Sequence, residues 1–235
     1  MLWFKAWLET RWRLVFLLGS TLMIWLAPLW LPSFGLRLPP GVPAARLWMA
    51  IQMGSVLLFI FTAIFLAGSG INTQGAYTFT PGFHGSMLFT LSLPISRRRL
   101  LFVRAGLGAL QTCILVVIMA CYILHLRPET TSVSQAFVYL TRTIACTMAI
   151  YALSVLLTCV LDETWHVTGA FILWTALFLM QSKFGWVARV SPLRGMSLNC
   201  YPITAPIPWA PIVASLVFAC VCLCASVLVL QRKEY

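Results

Sequence analysis

The stretch that decides the fold is 97–124, RRRLLFVRAGLGALQTCILVVIMACYIL, in which three consecutive arginines precede a long apolar run. A helix needs about 20 apolar residues to cross a hydrocarbon core of about 30 Å, and the run from 100 to 124 is long enough. Backbone polar groups in lipid must pair within their own segment, and a long run without alternation does so as an α-helix. We therefore predict a transmembrane helix that begins beside a basic cluster.

The composition of the whole chain extends this prediction. Of the 235 residues, 61% are hydrophobic and 9% are charged, which is too little polar surface to cover a soluble domain. We predict an all-α integral membrane protein that forms a single transmembrane domain over 1–235. Six apolar runs are long enough to span the bilayer, at about 14–31, 47–69, 100–124, 136–161, 166–182 and 208–230.

The net charge of +11 is explained by topology rather than by a polyanion ligand, because the basic residues lie at the ends of the apolar runs. No nucleic-acid partner is predicted. Lys and Arg are densest at the run ends that share a side with the N-terminus, which predicts that both termini are cytoplasmic. The basic residues on that side are Lys5, Arg11, Arg13, Arg97, Arg98, Arg99, Arg104, Arg232 and Lys233.

The first thirteen residues, MLWFKAWLETRWR, have the pattern of a helix that lies in the membrane plane. Apolar and tryptophan side chains recur at helical spacing on one side, and charged side chains share the other. We predict an interfacial helix over 1–13, separate from the first span. The alternative is an unstructured basic leader.

A second amphipathic helix is predicted in the segment between spans two and three. Thr80 and Pro81 have the order of an N-cap and a first helical residue, and Pro94 ends the pattern. The apolar residues between them recur at helical spacing, which predicts a short helix over about 81–93. The alternative is an ordinary basic cytoplasmic loop. The residues that define the apolar side are Phe83, Met87, Leu88 and Leu91.

Arg97, Arg98 and Arg99 follow this helix in the first turn of span three. The helix dipole disfavours each cation there by about 0.3–1 kcal/mol. Attraction to anionic lipid, about 1 kcal/mol per basic residue, outweighs that term. We therefore predict that the three arginines anchor span three at the membrane surface.

The layout resembles the type-2 ABC transporter permeases, the exporter class. The sequence FTLSLPISRRRLLFVRA carries the family pattern Leu-Pro-hydrophobic-Ser-Arg at 93–97. The resemblance implies a coupling helix over about 81–93 that docks on a separate ABC ATP-binding subunit through Phe83, Met87, Leu88, Leu91 and Pro94. It also implies a second permease copy or paralogue, contact with membrane lipid, and a multi-pass location in the cell inner (plasma) membrane. ATP and Mg would be bound by the partner subunit and no cofactor by this chain.

The family further implies short re-entrant helices between spans five and six, where residues 183–207 are long enough; a proline-rich loop is the alternative. Arg142, early in span four, either lines a pathway or extends its head outward to the membrane surface. Asp162 and Glu163, in the short loop after span four, either contact the ATPase or arginines or are solvated.

No motif for chemistry occurs in the chain. It contains no GxxxxGK[ST], GxSxG or HExxH, and seven of its eight cysteines lie inside apolar runs without CxxC spacing. No catalytic, cofactor or metal site is predicted, and the expected function is that of a transporter subunit without its own ATPase site. The alternatives are an intramembrane enzyme and a membrane assembly or sensor protein without transport.

Overall fold

The computed structural model describes residues 2–30, 44–67, 97–125, 132–161, 163–197 and 207–232. Within these ranges the chain is helical and contains no strand. The helices are α1 (Leu2–Trp30), α2 (Ala44–Ala67), α3 (Arg97–His125), α4 (Val133–Val160), α5 (Glu163–Lys183), α6 (Gly185–Val190), α7 (Pro192–Met196) and α8 (Trp209–Arg232).

Each of the six predicted apolar runs falls on one of the six long helices, and most boundaries agree within about three residues. In the described part of the chain, three segments are long and apolar enough to cross a membrane: Leu101–His125, Val133–Val160 and Trp209–Arg232. They indicate an all-helical membrane protein. A shorter apolar segment, Gly54–Ala67, lies in α2. The count of six spans therefore stays a prediction.

The N-terminal boundary is different from the one that we expected. Helix α1 is continuous from Leu2 to Trp30, so residues 2–13 and the first apolar run form one helix rather than two. The physical reason is local, because no proline or glycine interrupts the segment before Gly19 and most of its residues are good helix formers. Its first turns also pack on α3, where Ala6 shares a small buried cluster with Val103 and Leu107.

Helix α4 lies at the centre of the bundle. Of its most apolar stretch, 67% is buried inside the chain, against 28% for α8. A capping box fixes its start: the Ser132 hydroxyl accepts from the backbone N–H of Gln135 at 3.3 Å, and the Gln135 side chain accepts from the N–H of Ser132 at 3.1 Å. It packs against α2, α3, α5, α7 and α8.

Side-chain contacts give the direction of each long helix. Helices α1 and α3 run parallel, because Ala6 meets Val103 and Leu107 while Thr10 meets Gln111. Helix α8 runs parallel to α4 and antiparallel to α3, because its end meets the start of α3. Phe65 shares a groove with His166, and the Phe61 ring lies 4.9 Å from that of Phe171, so α2 and α5 are antiparallel.

The six long helices therefore alternate in direction along the chain. The starts of α1, α3 and α5 and the ends of α2, α4 and α8 lie at one end of the bundle, which we call the basic end. The name comes from the arginines that the structure describes there: Arg11, Arg13, Arg98, Arg99, Arg104 and Arg232. The other end, called the opposite end, contains the start of α4 and the end of α5, while the short helix α7 contacts α4 nearer to its midpoint.

Candidate functional site

The arginines at the start of α3 were predicted to anchor this helix at the membrane surface. Arg98 and Arg99 are exposed, and Arg97, the first residue of α3, has its side chain outside the described part of the chain. Arg98 also contacts the end of α8. Its Nε and Nη2 donate to the side-chain oxygen of Gln231 when the Gln231 amide is turned so that this oxygen faces the guanidinium. Arg98 thus joins two helices, a role that the sequence pattern did not indicate.

The predicted coupling residues Phe83, Met87, Leu88, Leu91 and Pro94 lie outside the described residues, as does Asp162. The structure does describe the helices on either side of that segment. Helix α2 ends at Ala67 and α3 begins at Arg97, and both of these positions belong to the basic end. The two described residues that flank 68–96 therefore lie at the same end of the bundle.

Helices α2, α3 and α4 approach one another closely at Gly108. A Cβ on Gly108 would lie 2.9 Å from the backbone carbonyl oxygen of Leu66 and against the hydroxyl of Tyr151. That hydroxyl donates to the carbonyl of Ala105 at 2.7 Å, so it is fixed in place. Glycine inside an apolar helix is the residue that allows two backbones to approach, and the GLG at 106–108 was a signal in the sequence that we did not use.

A hydrogen bond between polar side chains joins α1 to α3 near this point. Gln111 donates from Nε2 to the hydroxyl oxygen of Thr10 at 2.7 Å, and both residues are buried. A buried amide between helices needs such a partner because an unpaired polar group in an apolar medium is costly. The contact connects the N-terminal turns of α1 to the bundle.

Arg142 is enclosed by the chain. Its side chain is 2% exposed, and its guanidinium lies 5.5 Å from the centre of the Tyr139 ring on the same helix. Tyr139 is one turn nearer to the start of α4, so this burial is compatible with a head that extends outward and with a position along a pathway. Both interpretations of Arg142 stay predictions.

The hydroxyl side chains of α4 bond to their own helix. Thr143, Thr147 and Ser154 each donate to the carbonyl four residues earlier, at 2.8 to 2.9 Å. Thr158 donates to the carbonyl of Val155 at 2.7 Å. These bonds satisfy the hydroxyl donors within α4 itself, and of the four only Thr147 also approaches an acceptor on another described helix, Met196 Sδ of α7. Such side chains are accommodated by a tightly packed helix and do not by themselves mark a polar pathway.

Helices α6 and α7 turn the chain back onto the bundle. Pro192 is the first residue of α7, a position that suits proline, and α7 packs on α4 near the midpoint of that helix. A Cβ on Gly195 would lie 2.5 Å from Cys146 Sγ. Thr147 donates to Met196 Sδ at 3.4 Å. Part of the predicted 183–207 segment is thus helical, and residues 198–206 lie outside the described ranges.

Comparison with known proteins gives this chain no relatives. No family model, curated protein or solved structure matches it.

The described residues show closely packed helices and charges at both ends of the bundle. No group of three His, Cys, Asp or Glu side chains that could hold a metal ion occurs among the residues searched. The side chain of Glu163 lies outside the described part, so the acidic pair predicted with Asp162 stays untested. Six of the described arginines lie at the end of the bundle that contains Ala67 and Arg97, while Lys183, Arg189 and Arg194 lie beyond the other end of α5.

Proposed function

We propose that this chain is the membrane permease subunit of an ATP-driven ABC exporter. In this proposal it spans the cell inner (plasma) membrane six times, with both termini cytoplasmic. A separate ABC ATP-binding subunit holds ATP and Mg and docks on the coupling helix at about 81–93. A second copy or paralogue completes the substrate pathway, and Arg142 is the candidate pathway residue because ionisable groups within spans are functional by default.

One observation supports the proposal: Ala67 and Arg97, the described residues on either side of 68–96, both belong to the basic end. Lys and Arg concentrated beside transmembrane segments are typical of the cytoplasmic side. A segment that leaves and returns at that side can meet a soluble ATPase, which a segment at the opposite end cannot. In the sequence, the Leu-Pro-Ile-Ser-Arg pattern at 93–97 ends on Arg97, the first residue of α3.

The helix lengths support six spans. Helices α1, α2 and α5 contain 29, 24 and 21 residues. At 1.5 Å per residue they measure about 44, 36 and 32 Å, and a hydrocarbon core is about 30 Å thick. The six long helices alternate in direction along the chain, and three of them are apolar enough to be spans. If the other three lie in the same bundle within the bilayer, all six cross the membrane.

The experiment changes the apolar side of the predicted coupling helix. The double variant Met87→Asp/Leu88→Asp places two charges where the ATPase would dock, so we expect the partner to be lost while membrane insertion is kept. The tagged chain is purified from its native membrane. Co-purified protein is then identified by a GxxxxGK[ST] sequence, and ATP hydrolysis by the complex is measured.

The matched control is Gly85→Asp/Ser86→Asp, which adds the same two charges on the other side of the same predicted helix. We expect this control to retain the ATPase. Equal retention by both double variants, or equal loss from both, contradicts docking through the apolar side. Absence of any P-loop protein from the wild-type preparation contradicts the exporter proposal itself.

A further inference from the structure

An aromatic groove opens on the bundle surface between α1, α2 and α5, in the half that carries the basic end. Its volume is about 450 Å³, within the range of about 300–1,000 Å³ that is usual for ligand sites. Its principal lining residues are Trp12, Arg13, Phe16 and Leu17 of α1, Phe65 of α2 and His166 of α5. Trp12 and Phe16 are each 69% exposed, so the groove is open along its α1 side.

Two basic side chains are placed among these apolar walls. Arg13 donates from Nη1 to the backbone carbonyl of Phe65 at 3.4 Å, which holds its guanidinium at the α2 side of the groove. His166 is 3% exposed and lies at the start of α5. Among the side chains that the structure describes, no acidic residue lines the groove. The site therefore combines a positive group with aromatic surface, which is the chemistry of a ligand with a negative head and an apolar tail.

The neighbouring residues indicate that the ligand comes from the membrane. Tryptophan rings are enriched at the headgroup level of a bilayer, and Trp12 is exposed beside the groove. Arg11 lies 5.5 Å from the centre of the Trp12 ring and adds a second positive charge nearby without lining the groove. A soluble anion would gain little from aromatic walls. A second copy of this chain, paired symmetrically over the groove, would bring two Arg13 guanidinium groups together.

We propose that the groove binds one anionic phospholipid from the leaflet at the basic end. The lipid phosphate lies between Arg13 and His166, and one acyl chain lies along Trp12, Phe16 and Phe65. The inference needs only that the chain is a membrane protein. It does not depend on transport or on an ATPase, so the two proposals fail separately.

The test titrates the purified full chain in detergent with phosphatidylglycerol and with phosphatidylcholine of the same acyl chains, and counts bound lipids by native mass spectrometry. We expect one tight phosphatidylglycerol site in the wild type. Attraction of about 1 kcal/mol per basic residue corresponds to about a fivefold loss of affinity in Arg13→Gln, with phosphatidylcholine unchanged. Arg13→Lys should keep the preference for phosphatidylglycerol. Phe16→Ala should weaken both lipids, because it removes part of the apolar wall.

The matched control is Arg11→Gln, which removes the same charge two residues away on the same helix but outside the lining. We expect Arg11→Gln to lower the affinity for phosphatidylglycerol by less than half as much as Arg13→Gln does, when both losses are expressed as the logarithm of the fold-change. Equal effects of the two variants would show general surface attraction and overturn the site. So would inorganic phosphate binding without any lipid preference. Efficient disulfide formation between two copies of Phe16→Cys in a bilayer would show that protein covers the groove, and it would overturn the proposal as well.

Discussion

Two glycines allow close contacts in different parts of the molecule, and their surroundings differ. At Gly108 the nearest atoms are the backbone carbonyl of Leu66 and the hydroxyl of Tyr151. At Gly195 the nearest atom is Cys146 Sγ, followed by a side-chain carbon of Pro211 at 3.4 Å. The first contact sets the distance between the main chains of long helices. The second holds a short helix against side chains that a substitution can remove.

The hydrogen bonds around the two glycines differ in the same way. Near Gly108 the acceptors are oxygen atoms. The Tyr151 hydroxyl donates to the Ala105 carbonyl and Gln111 Nε2 donates to the Thr10 hydroxyl, both at 2.7 Å. Around Gly195 the acceptors are sulfur atoms, at 3.4 Å for Met196 Sδ and 3.6 Å from Ser215 to Cys146 Sγ. Sulfur is a weak acceptor. We infer that the contact between the long helices at Gly108 is rigid. The contact of α7 at Gly195 can instead be relieved by a change in the side chains around it.

The largest effect is expected from Gly108→Ala. The new methyl group would lie 2.9 Å from the Leu66 carbonyl oxygen, and a backbone atom cannot move aside without moving α2. Overpacking of this kind costs about 1–3 kcal/mol, and we expect the upper part of that range. The measurement is the free energy of unfolding in mixed detergent with increasing SDS.

Gly106→Ala is the matched control for this variant. It makes the same substitution two residues earlier on α3, where the nearest atom to a new Cβ is Trp3 Cη2 at an ordinary 3.5 Å. We expect little loss in the free energy of unfolding. A small gain would also agree with this account, because alanine has a higher helix propensity than glycine. Tyr151→Phe should not restore Gly108→Ala, because the Leu66 carbonyl is still present. Equal stability of the two alanine variants would contradict a close main-chain contact at Gly108.

A smaller effect is expected from Gly195→Ala, about 1 kcal/mol, because its new methyl group meets a side chain rather than backbone. Cys146→Ala removes the sulfur atom in its path. The double variant should therefore be more stable than the sum of the two single changes predicts, and a double-mutant cycle in the same SDS assay measures this coupling. Strict additivity would show that α7 does not rest on Cys146 as described.

The sequence was sufficient for the long helices, because their apolar runs exceed the length that a membrane span needs. The predicted runs 100–124 and 208–230 correspond to α3 (Arg97–His125) and α8 (Trp209–Arg232). At the N-terminus the expectation from the sequence was wrong, because the segment has no helix breaker before Gly19 and because its first turns pack on another helix. Tryptophan and arginine at helical spacing suggested a separate helix at 1–13, but residues 6 and 10 instead pack on α3 as part of a longer helix.

The candidate site was less predictable for the same reason. Hydropathy shows that Arg142 lies in a span, but which way its side chain points depends on which helices surround α4. The groove at Arg13 and His166 joins residues that are more than 150 positions apart in the chain, and no local pattern relates them. The coupling residues at 83–94 rest on local periodicity and a short motif alone, so they stay a prediction.

The central proposal is that the basic end, where Ala67 and Arg97 lie, faces the cytoplasm. Single cysteines on a Cys-free background test it most directly, with Gln74→Cys in the segment between these two residues and Val133→Cys at the start of α4, where the native side chain is 88% exposed. Intact cells are treated with a membrane-impermeant maleimide before and after permeabilisation. The account predicts that the cysteine at 133 reacts in intact cells and that the one at 74 reacts only after permeabilisation. Labelling at position 74 in intact cells would contradict the orientation and, with it, docking of an ATPase on this segment.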